Sequence, residues 1–224
     1  MISKYLKSKN LITQIIPTIN EVELQSDTKN QYYDLKVFDQ TSSHYFYRNL
    51  FNNYEIERIL AIGNKLPKQG AVLADNVVDK TYRDSTISWI PVNDQTTWIY
   101  QKLTDCITEV NESFFEFDLT RIEKLQFTSY YGNKDTNGFY AQHIDSSFGF
   151  LSENRKLSFV IQLSHPEDYD GGELKLYISK DPSCIPKERG LVTFFPSHVL
   201  HECTPVTSGN RHTLVGWIHG PKLR

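Results

Sequence analysis

The sequence predicts a mainly β protein in which a sandwich or barrel of short strands follows two helices. Apolar and polar residues alternate with period two from residue 119 onward, which is the spacing of a strand with one buried face. Turn-forming segments at 132–135, 170–172 and 208–210 divide this half into short strands rather than βαβ units. Aromatic residues make up 13% of the chain, including thirteen Tyr and thirteen Phe, and they favour a β-rich core.

The first third of the chain predicts one strand and one helix. Residues 1–30 are polar and form a predicted extension, and the alternation in 31–40 predicts a strand. Apolar residues three and four apart in 49–66 predict an amphipathic helix, which Pro67 ends because proline cannot continue the hydrogen-bond ladder. Residues 68–79 predict a loop. This loop is either a lid over a bound peptide or an ordinary surface connection.

A strand, a second helix and seven further strands are predicted after that loop. The alternation in 83–90 predicts the strand. Residues 94–114 predict the helix, with Asp94 as its N-cap and apolar residues along one side. The further strands are predicted near 123–131, 138–144, 156–164, 172–178, 190–195, 200–206 and 211–219.

Charge and cysteine content exclude several partners and compartments. The chain has 24 basic and 27 acidic residues, well mixed, and a net charge of -3. We therefore expect no nucleic-acid partner and no anionic membrane partner. The three cysteines are odd in number and form no C-x-x-C pair, which predicts a reducing compartment without a disulfide framework. The first twenty residues hold no long apolar run, so we expect a soluble, cytoplasmic protein.

The most informative motif is His143-Ile144-Asp145, which His201 follows at a distance. Side chains two apart in a strand share a face, so the first His and the Asp can bind one ion. Two imidazoles and one carboxylate suit Fe(II) and leave coordination positions open. Taken alone, the motif fits equally a surface histidine followed by a loop-capping aspartate.

Arg211 lies ten residues beyond the second histidine. Its planar guanidinium presents a fork of donors that matches a carboxylate. An iron site beside such an arginine is what an oxygenase needs if it consumes a small dicarboxylic acid. The competing interpretation is a surface cation on a strand, where most arginines lie. Against it, Arg211, Thr213, Val215 and Trp217 share one strand face.

The second half of the chain resembles the prolyl 4-hydroxylase branch of the Fe(II)/2-oxoglutarate dioxygenases. The segments that carry the resemblance are FTSYYGNKDTNGFYAQHID, RKLSFVIQLS, HPEDYDGGELKLY and GLVTFFPSHVLHECTPVTSGNRHTLVGWI, and they fall within residues 83–220. Among these enzymes the sequence is most similar to the PKHD-type hydroxylases and the oxygen-sensing prolyl hydroxylases. The resemblance implies a double-stranded β-helix, or jelly roll, with buttressing N-terminal helices. It implies a single domain over 1–224, with 31–118 as support and 119–220 as the catalytic core.

The resemblance also implies roles for individual residues. His143, Asp145 and His201 would bind the metal, whereas His198 would be a turn residue near the rim. Arg211 would bind the far carboxylate of 2-oxoglutarate, and the further residues implied at this co-substrate are Tyr130 and Thr213. For Tyr130, packing across neighbouring strands is a serious alternative.

Three residues are candidates for the substrate side of the pocket, namely Tyr140, Arg155 and Trp217, and each of them fits a scaffold role equally well. The four other histidines are expected at the surface or the edge of the core, and they are His44, His165, His212 and His219. Gly171 and Gly172 are expected to form a tight turn that uses positive φ.

The implied activity is hydroxylation of a peptidyl proline with Fe(II), 2-oxoglutarate and O2, and with ascorbate as an optional cofactor. The expected partner is a peptide or protein substrate, or a small molecule. One alternative is a hydroxylase of a free amino acid or another small metabolite. Another is a jelly-roll metal-binding module without turnover. Demethylation of nucleic acid is disfavoured, because Trp217 stands where the AlkB-type demethylases carry a second arginine.

Overall fold

The computed structural model describes residues 43–70, 79–146 and 153–221 of the chain. The predicted extension at 1–30 and the predicted strand at 31–40 lie outside the described residues, and so does most of the loop predicted at 68–79. Within the described part, both predicted helices and all seven predicted C-terminal strand regions are present, with the shifts in their bounds given below.

The first helix, α1, spans Asn53–Lys65 and begins four residues later than predicted. A capping box fixes its start, because the Asn52 side chain accepts a hydrogen bond from the Glu55 amide and the Glu55 carboxylate accepts one from the Asn52 amide, each at 2.9 Å. These bonds satisfy two groups at the helix end that would otherwise lack partners. Lys102 of the second helix then binds the same carboxylate at 2.7 Å.

The second helix, α2, spans Thr97–Val110, and the prediction of Asp94 as its N-cap is wrong. The N-cap is Thr96, whose side chain makes no capping bond to the helix. The turn before the helix is built instead by Asn93, whose side-chain oxygen accepts the Gln95 amide at 3.0 Å and whose carbonyl accepts the Thr97 amide at 2.8 Å. Asp94 is thereby confined to this turn. A π-helical turn at Asn111–Phe115 extends the helix to the predicted end.

The described strands form two antiparallel sheets. The larger sheet comprises β1 (Tyr45–Tyr47), β2 (Gln69–Gly70), β4 (Thr86–Ile90), β5 (Arg121–Ile122), β6 (Leu125–Gly132), β8 (Glu153–Gln162), β9 (Tyr169–Gly171), β12 (Val192–Pro196) and β14 (Val206–Pro221). The smaller sheet comprises β3 (Arg83–Asp84), β7 (Phe139–His143), β10 (Leu174–Tyr177), β11 (Ser183–Cys184) and β13 (Leu200–Cys203). The predicted mainly β architecture with helices before it is confirmed.

The last strand differs from the prediction. A turn was expected at 208–210 between two strands, but β14 runs without a break from Val206 to Pro221. Gly209 lies opposite Gly132 of β6 and Tyr169 of β9, and its φ of +74° places it in the left-handed region. Glycine therefore serves here to pass the chain close to the Asp168 carbonyl rather than to reverse it.

The two faces of the larger sheet contact different parts of the protein. Its outer face packs against α1 and α2 and forms the main apolar core, which includes Ile59, Leu103, Phe127, Phe159 and Leu214. The approach is close, because a Cβ added at Gly63 of α1 would lie 2.4 Å from the Phe127 ring. The inner face looks toward the smaller sheet and carries polar and aromatic side chains.

Candidate metal and anion site

A cavity of about 840 Å³ lies between the inner faces of the two sheets. This volume falls in the range of small-molecule sites. Three consecutive inward positions of β6 line it, namely Gln126, Thr128 and Tyr130, as their shared face predicts. Five alternate positions of β14 line it as well, and these are Arg211, Thr213, Val215, Trp217 and His219.

The structure brings His143, Asp145 and His201 together at the end of β7. His143 is the last residue of β7 and pairs directly with His201 of β13. The Asp145 carboxylate lies between them, with Oδ1 at 3.8 Å from His143 Nε2 and Oδ2 at 3.5 Å from His201 Nε2. One ligand atom of each residue lies within 4.8 Å of the others. Three donors of the predicted types therefore converge on one point.

Backbone carbonyls fix which ring nitrogens face that point. His143 Nδ1 lies 2.7 Å from the Ala141 carbonyl oxygen, and His201 Nδ1 lies 2.9 Å from the Val199 carbonyl oxygen. A carbonyl only accepts, so each neutral ring carries its proton on Nδ1 and presents the Nε2 lone pair. Metal-binding histidines are commonly oriented in this way. The donor set thus fits a divalent ion.

Protonation states support the same fit. Burial, with a further contribution from His201, lowers the pKa of His143 to about 3, so this ring is neutral at pH 7. Burial acts to raise the pKa of Asp145, but the two imidazoles and a hydrogen bond from Ser158 outweigh it and lower that pKa. A neutral imidazole and an ionised carboxylate are the forms that bind metal.

Two buried serines hold Asp145 in place, and no motif in the sequence points to either. Ser158 Oγ donates to Asp145 Oδ2 at 2.8 Å and lies 2.9 Å from Ser197 Oγ. The Ser197 carbonyl also accepts the amides of Asp145 and Ser146, each at 2.9 Å. These serines come from β8 and from the turn after β12, and neither belongs to the motif. Only the folded chain reveals them.

Arg211 lies in the cavity on the partner strand of β6, directly opposite Tyr130. It is 4% exposed, and its Nη1 reaches the Cys203 sulfur at 3.5 Å. Within residues 43–70, 79–146 and 153–221 its buried Nε has no hydrogen-bond partner and no carboxylate pairs with its guanidinium. Burial raises the pKa of Tyr130, so its hydroxyl remains a donor at neutral pH. The arrangement is suited to an anion.

The three substrate-side candidates lie around the metal ligands. The Tyr140 ring stacks on the His143 ring with centroids 3.5 Å apart. Arg155 lies over the face of Trp217 at 3.9 Å. Its Nε and Nη2 bind the two oxygens of Glu123 at 2.6 and 2.8 Å, so its charge is already matched.

His219 corrects one expectation. We expected it at the surface or the edge of the core, but it lines the cavity and its Nε2 lies 2.5 Å from Glu123 Oε1. The position follows from the length of β14, because alternate residues from Arg211 onward keep the same face. His212 and the exposed His198 lie where they were predicted, away from the cavity.

Comparison with known proteins gives the family. Residues 125–219 match the sequence model of the 2OG-Fe(II) oxygenase superfamily. This segment is a 2OG-Fe(II) oxygenase domain. The match confirms the family predicted from the motifs, and with it the pairing of Fe(II) with 2-oxoglutarate that gives the family its name.

The oxygenase domain is similar to PKHD-type hydroxylases. It is 42% identical to one from Hyphomonas neptunium over 82 residues, which are 35% of this chain and 37% of that protein. It is 34% identical to one from Gloeothece citriformis over 101 residues, which are 44% of this chain and 43% of that protein. The chain therefore spans roughly two fifths of these relatives.

Solved structures confirm the predicted double-stranded β-helix. A prolyl-4-hydroxylase from Pseudomonas putida superposes with a TM-score of 0.65 and 19% identity over 79% of this chain and 92% of that chain. A prolyl hydroxylase from Trichoplax adhaerens, bound to a hypoxia-inducible-factor peptide fragment, gives a TM-score of 0.67 and 19% identity over 80% of this chain and 84% of its own. Within the described residues, no helix has the length and apolarity to cross a membrane.

Proposed function

We propose that the protein is an Fe(II)- and 2-oxoglutarate-dependent hydroxylase that acts on a peptidyl proline. The observation that carries the proposal is the convergence of two imidazole lone pairs and one carboxylate beside a buried arginine that lacks a carboxylate partner among the described residues. An ion with open positions and an anion can be held next to each other in this cavity. That combination matches the two components in the family name.

His143, Asp145 and His201 would hold Fe(II), and Arg211 with Tyr130 would hold the far carboxylate of 2-oxoglutarate. Thr213 lines the same part of the cavity and is fully buried. When bound, these two components and O2 supply an oxidant that inserts oxygen into a C–H bond while 2-oxoglutarate becomes succinate and carbon dioxide. The chain contributes binding, orientation and exclusion of water.

Aromatic walls near the donor set support a proline as the reacting residue. Tyr140 stacks on His143, and Trp217 lies further along the inward face of β14 with Trp89 at 6.4 Å. Aromatic faces suit an apolar pyrrolidine ring, and proline loses little conformational freedom on binding because its φ is already fixed. The names of the structural relatives from Pseudomonas putida and Trichoplax adhaerens add support for prolyl substrates.

The test measures succinate from 2-oxoglutarate by purified protein with Fe(II) and O2, first alone and then with proline peptides. We expect turnover in the wild type, a gain of one oxygen on a proline peptide, and loss of both in His201→Ala. His198→Ala is the matched control, because that exposed histidine lies three residues away and outside the cavity. Equal turnover in wild type and His201→Ala would refute the proposal. Oxidation of free amino acids alone would replace the peptidyl substrate with a small molecule.

A further inference from the structure

A second buried arginine, Arg83, lies in the cavity and belongs to none of the motifs described above. Arg83 begins β3 and is 7% exposed. Its Nε donates to Ser85 Oγ and its Nη2 donates to Gln126 Oε1, each at 2.9 Å. Its guanidinium lies 4.3 Å from the centre of the Tyr140 ring. All of these partners are neutral.

Both cavity carboxylates among the described residues are committed elsewhere. Glu123 binds Arg155 and His219, and Asp145 lies between the two metal-site imidazoles. Across residues 43–70, 79–146 and 153–221, no carboxylate forms an ion pair with Arg83. Buried arginines rarely lack an anionic partner, because a desolvated charge without one is costly. No anion among the described residues therefore neutralises Arg83, which leaves its charge to a bound anion.

The co-substrate does not supply that anion. A divalent iron, ionised Asp145 and Arg211 carry a combined charge that the two carboxylates of 2-oxoglutarate balance. The charge of Arg83 is left over. The remaining ligand that enters the cavity is the substrate itself. Resting on the function proposed above, we infer that the hydroxylated substrate carries a carboxylate and that Arg83 binds it.

The geometry limits where this carboxylate lies in the substrate. The Arg83 guanidinium lies over the Tyr140 ring. The same ring stacks on the ring of the metal-site His143, with centroids 3.5 Å apart. Arg83 and the metal-site His143 therefore contact the same aromatic side chain, which places the substrate carboxylate close to the oxidised carbon. A guanidinium has five N–H donors, and Ser85 and Gln126 use two of them. The three others suffice for a two-pronged bond to a carboxylate.

Two sources supply a carboxylate at that spacing. One is an Asp side chain next to the proline in a peptide, and the other is the α-carboxylate of proline itself. The probes for the first source are Ac-Ala-Asp-Pro-Ala-NH2 and Ac-Ala-Pro-Asp-Ala-NH2, each compared with its Asn counterpart. The probes for the second source are L-proline and L-prolinamide. Affinity is measured by calorimetry on full-length protein loaded with Fe(II) and 2-oxoglutarate under anaerobic conditions.

We expect at least one acid probe to bind about 10-fold or more tightly than its amide, which is typical for a hydrogen-bonded charged group. Arg83→Gln should abolish that preference, and Arg83→Lys should retain part of it because lysine keeps the charge without the fork. Arg48→Gln is the control, since it also removes one arginine but from an exposed pair with Glu188. Its preference for acid should match that of the wild type.

Two results would overturn the inference. One is equal binding of acids and amides by the wild type, including failure of every probe to bind, which needs no variant to fold. The other is an acid preference that persists in Arg83→Gln. Failure of the proposed function has a different signature, because absence of succinate formation together with an Arg83-dependent acid preference would leave the arginine assignment standing.

Discussion

At the scale of single residues, the cavity combines groups prepared for a metal with groups prepared for anions. Hydrogen bonds to backbone carbonyls hold both histidines in the tautomer that presents the Nε2 lone pair. Ser158 orients the carboxylate between them. Arg211 is buried opposite Tyr130. Neighbouring groups of the fold hold each of these side chains in place, so binding requires little rearrangement.

Replacing Arg211 should weaken 2-oxoglutarate far more than metal. We expect Arg211→Ala to raise the Michaelis constant for 2-oxoglutarate roughly 30-fold or more, because a carboxylate without its charged partner costs about 2–5 kcal/mol. Arg211→Lys should fall between this variant and the wild type. Initial rates over a range of 2-oxoglutarate concentrations measure the effect. An unchanged constant in Arg211→Ala would mean that the carboxylate binds elsewhere.

Removing the Ser158 hydroxyl should weaken metal binding without touching a metal ligand. Ser158→Ala takes away the 2.8 Å bond that orients Asp145, and loss of such a supporting bond typically costs 10- to 100-fold in metal affinity, so we expect roughly 10-fold. Competition titration with a metal-binding dye and Mn2+ measures it. Ser88→Ala is a control, since Ser88 is equally buried but bonds the Pro67 carbonyl. Equal affinity in both variants would contradict the role of Ser158.

At the scale of elements, the contact between α1 and the larger sheet fixes the back of the cavity. Phe127 lies on the outer face of β6, between cavity-lining Gln126 and Thr128. Gly63 lets the helix approach that ring. The position of α1 therefore constrains β6, which is the strand that carries three cavity residues.

Gly63→Ala should destabilise the fold. Although alanine favours helices, its Cβ would lie 2.4 Å from the Phe127 ring, and overpacking of this kind typically costs about 1–3 kcal/mol. Urea unfolding measures the free energy of unfolding. Gly70→Ala is the matched control, because nothing lies within 4 Å of a Cβ there. A Gly63→Ala variant as stable as that control would show that the helix shifts freely.

Prediction from sequence succeeded where the signal was local and failed where it depended on pairing. His143 and Asp145 converge as their spacing predicted, although β7 ends at His143, and Arg211 lies in the cavity as the family motif predicted. Glu123 and Arg83 line the cavity and Ser158 bonds Asp145, and no short motif connects these three positions. The turn expected at 208–210 failed for a related reason, because Gly209 serves β-pairing on two sides.

At the scale of the whole molecule, the buried Arg211 has no carboxylate partner among the described residues, so bound 2-oxoglutarate should stabilise the fold. With Mn2+ in place of iron, 2-oxoglutarate at 100 times its Kd should add about 2.7 kcal/mol. For a protein of this size that corresponds to an increase in Tm of roughly 5–10 °C. Thermal unfolding with and without 2-oxoglutarate measures it. An equal increase in Arg211→Ala would show that this arginine does not bind the dicarboxylate.

The sixteen-residue strand β14 also orders the cavity along one dimension. Its odd-numbered positions from 211 to 219 all face the cavity, while its even-numbered neighbours Leu214 and Ile218 belong to the apolar core. At about 6.6 Å per pair of residues, successive odd positions sample successive depths. Substitutions at alternate positions of this single strand can therefore change the substrate preference. A mutant library restricted to positions 217 and 219 would explore new specificities while the co-substrate positions 211 and 213 stay constant.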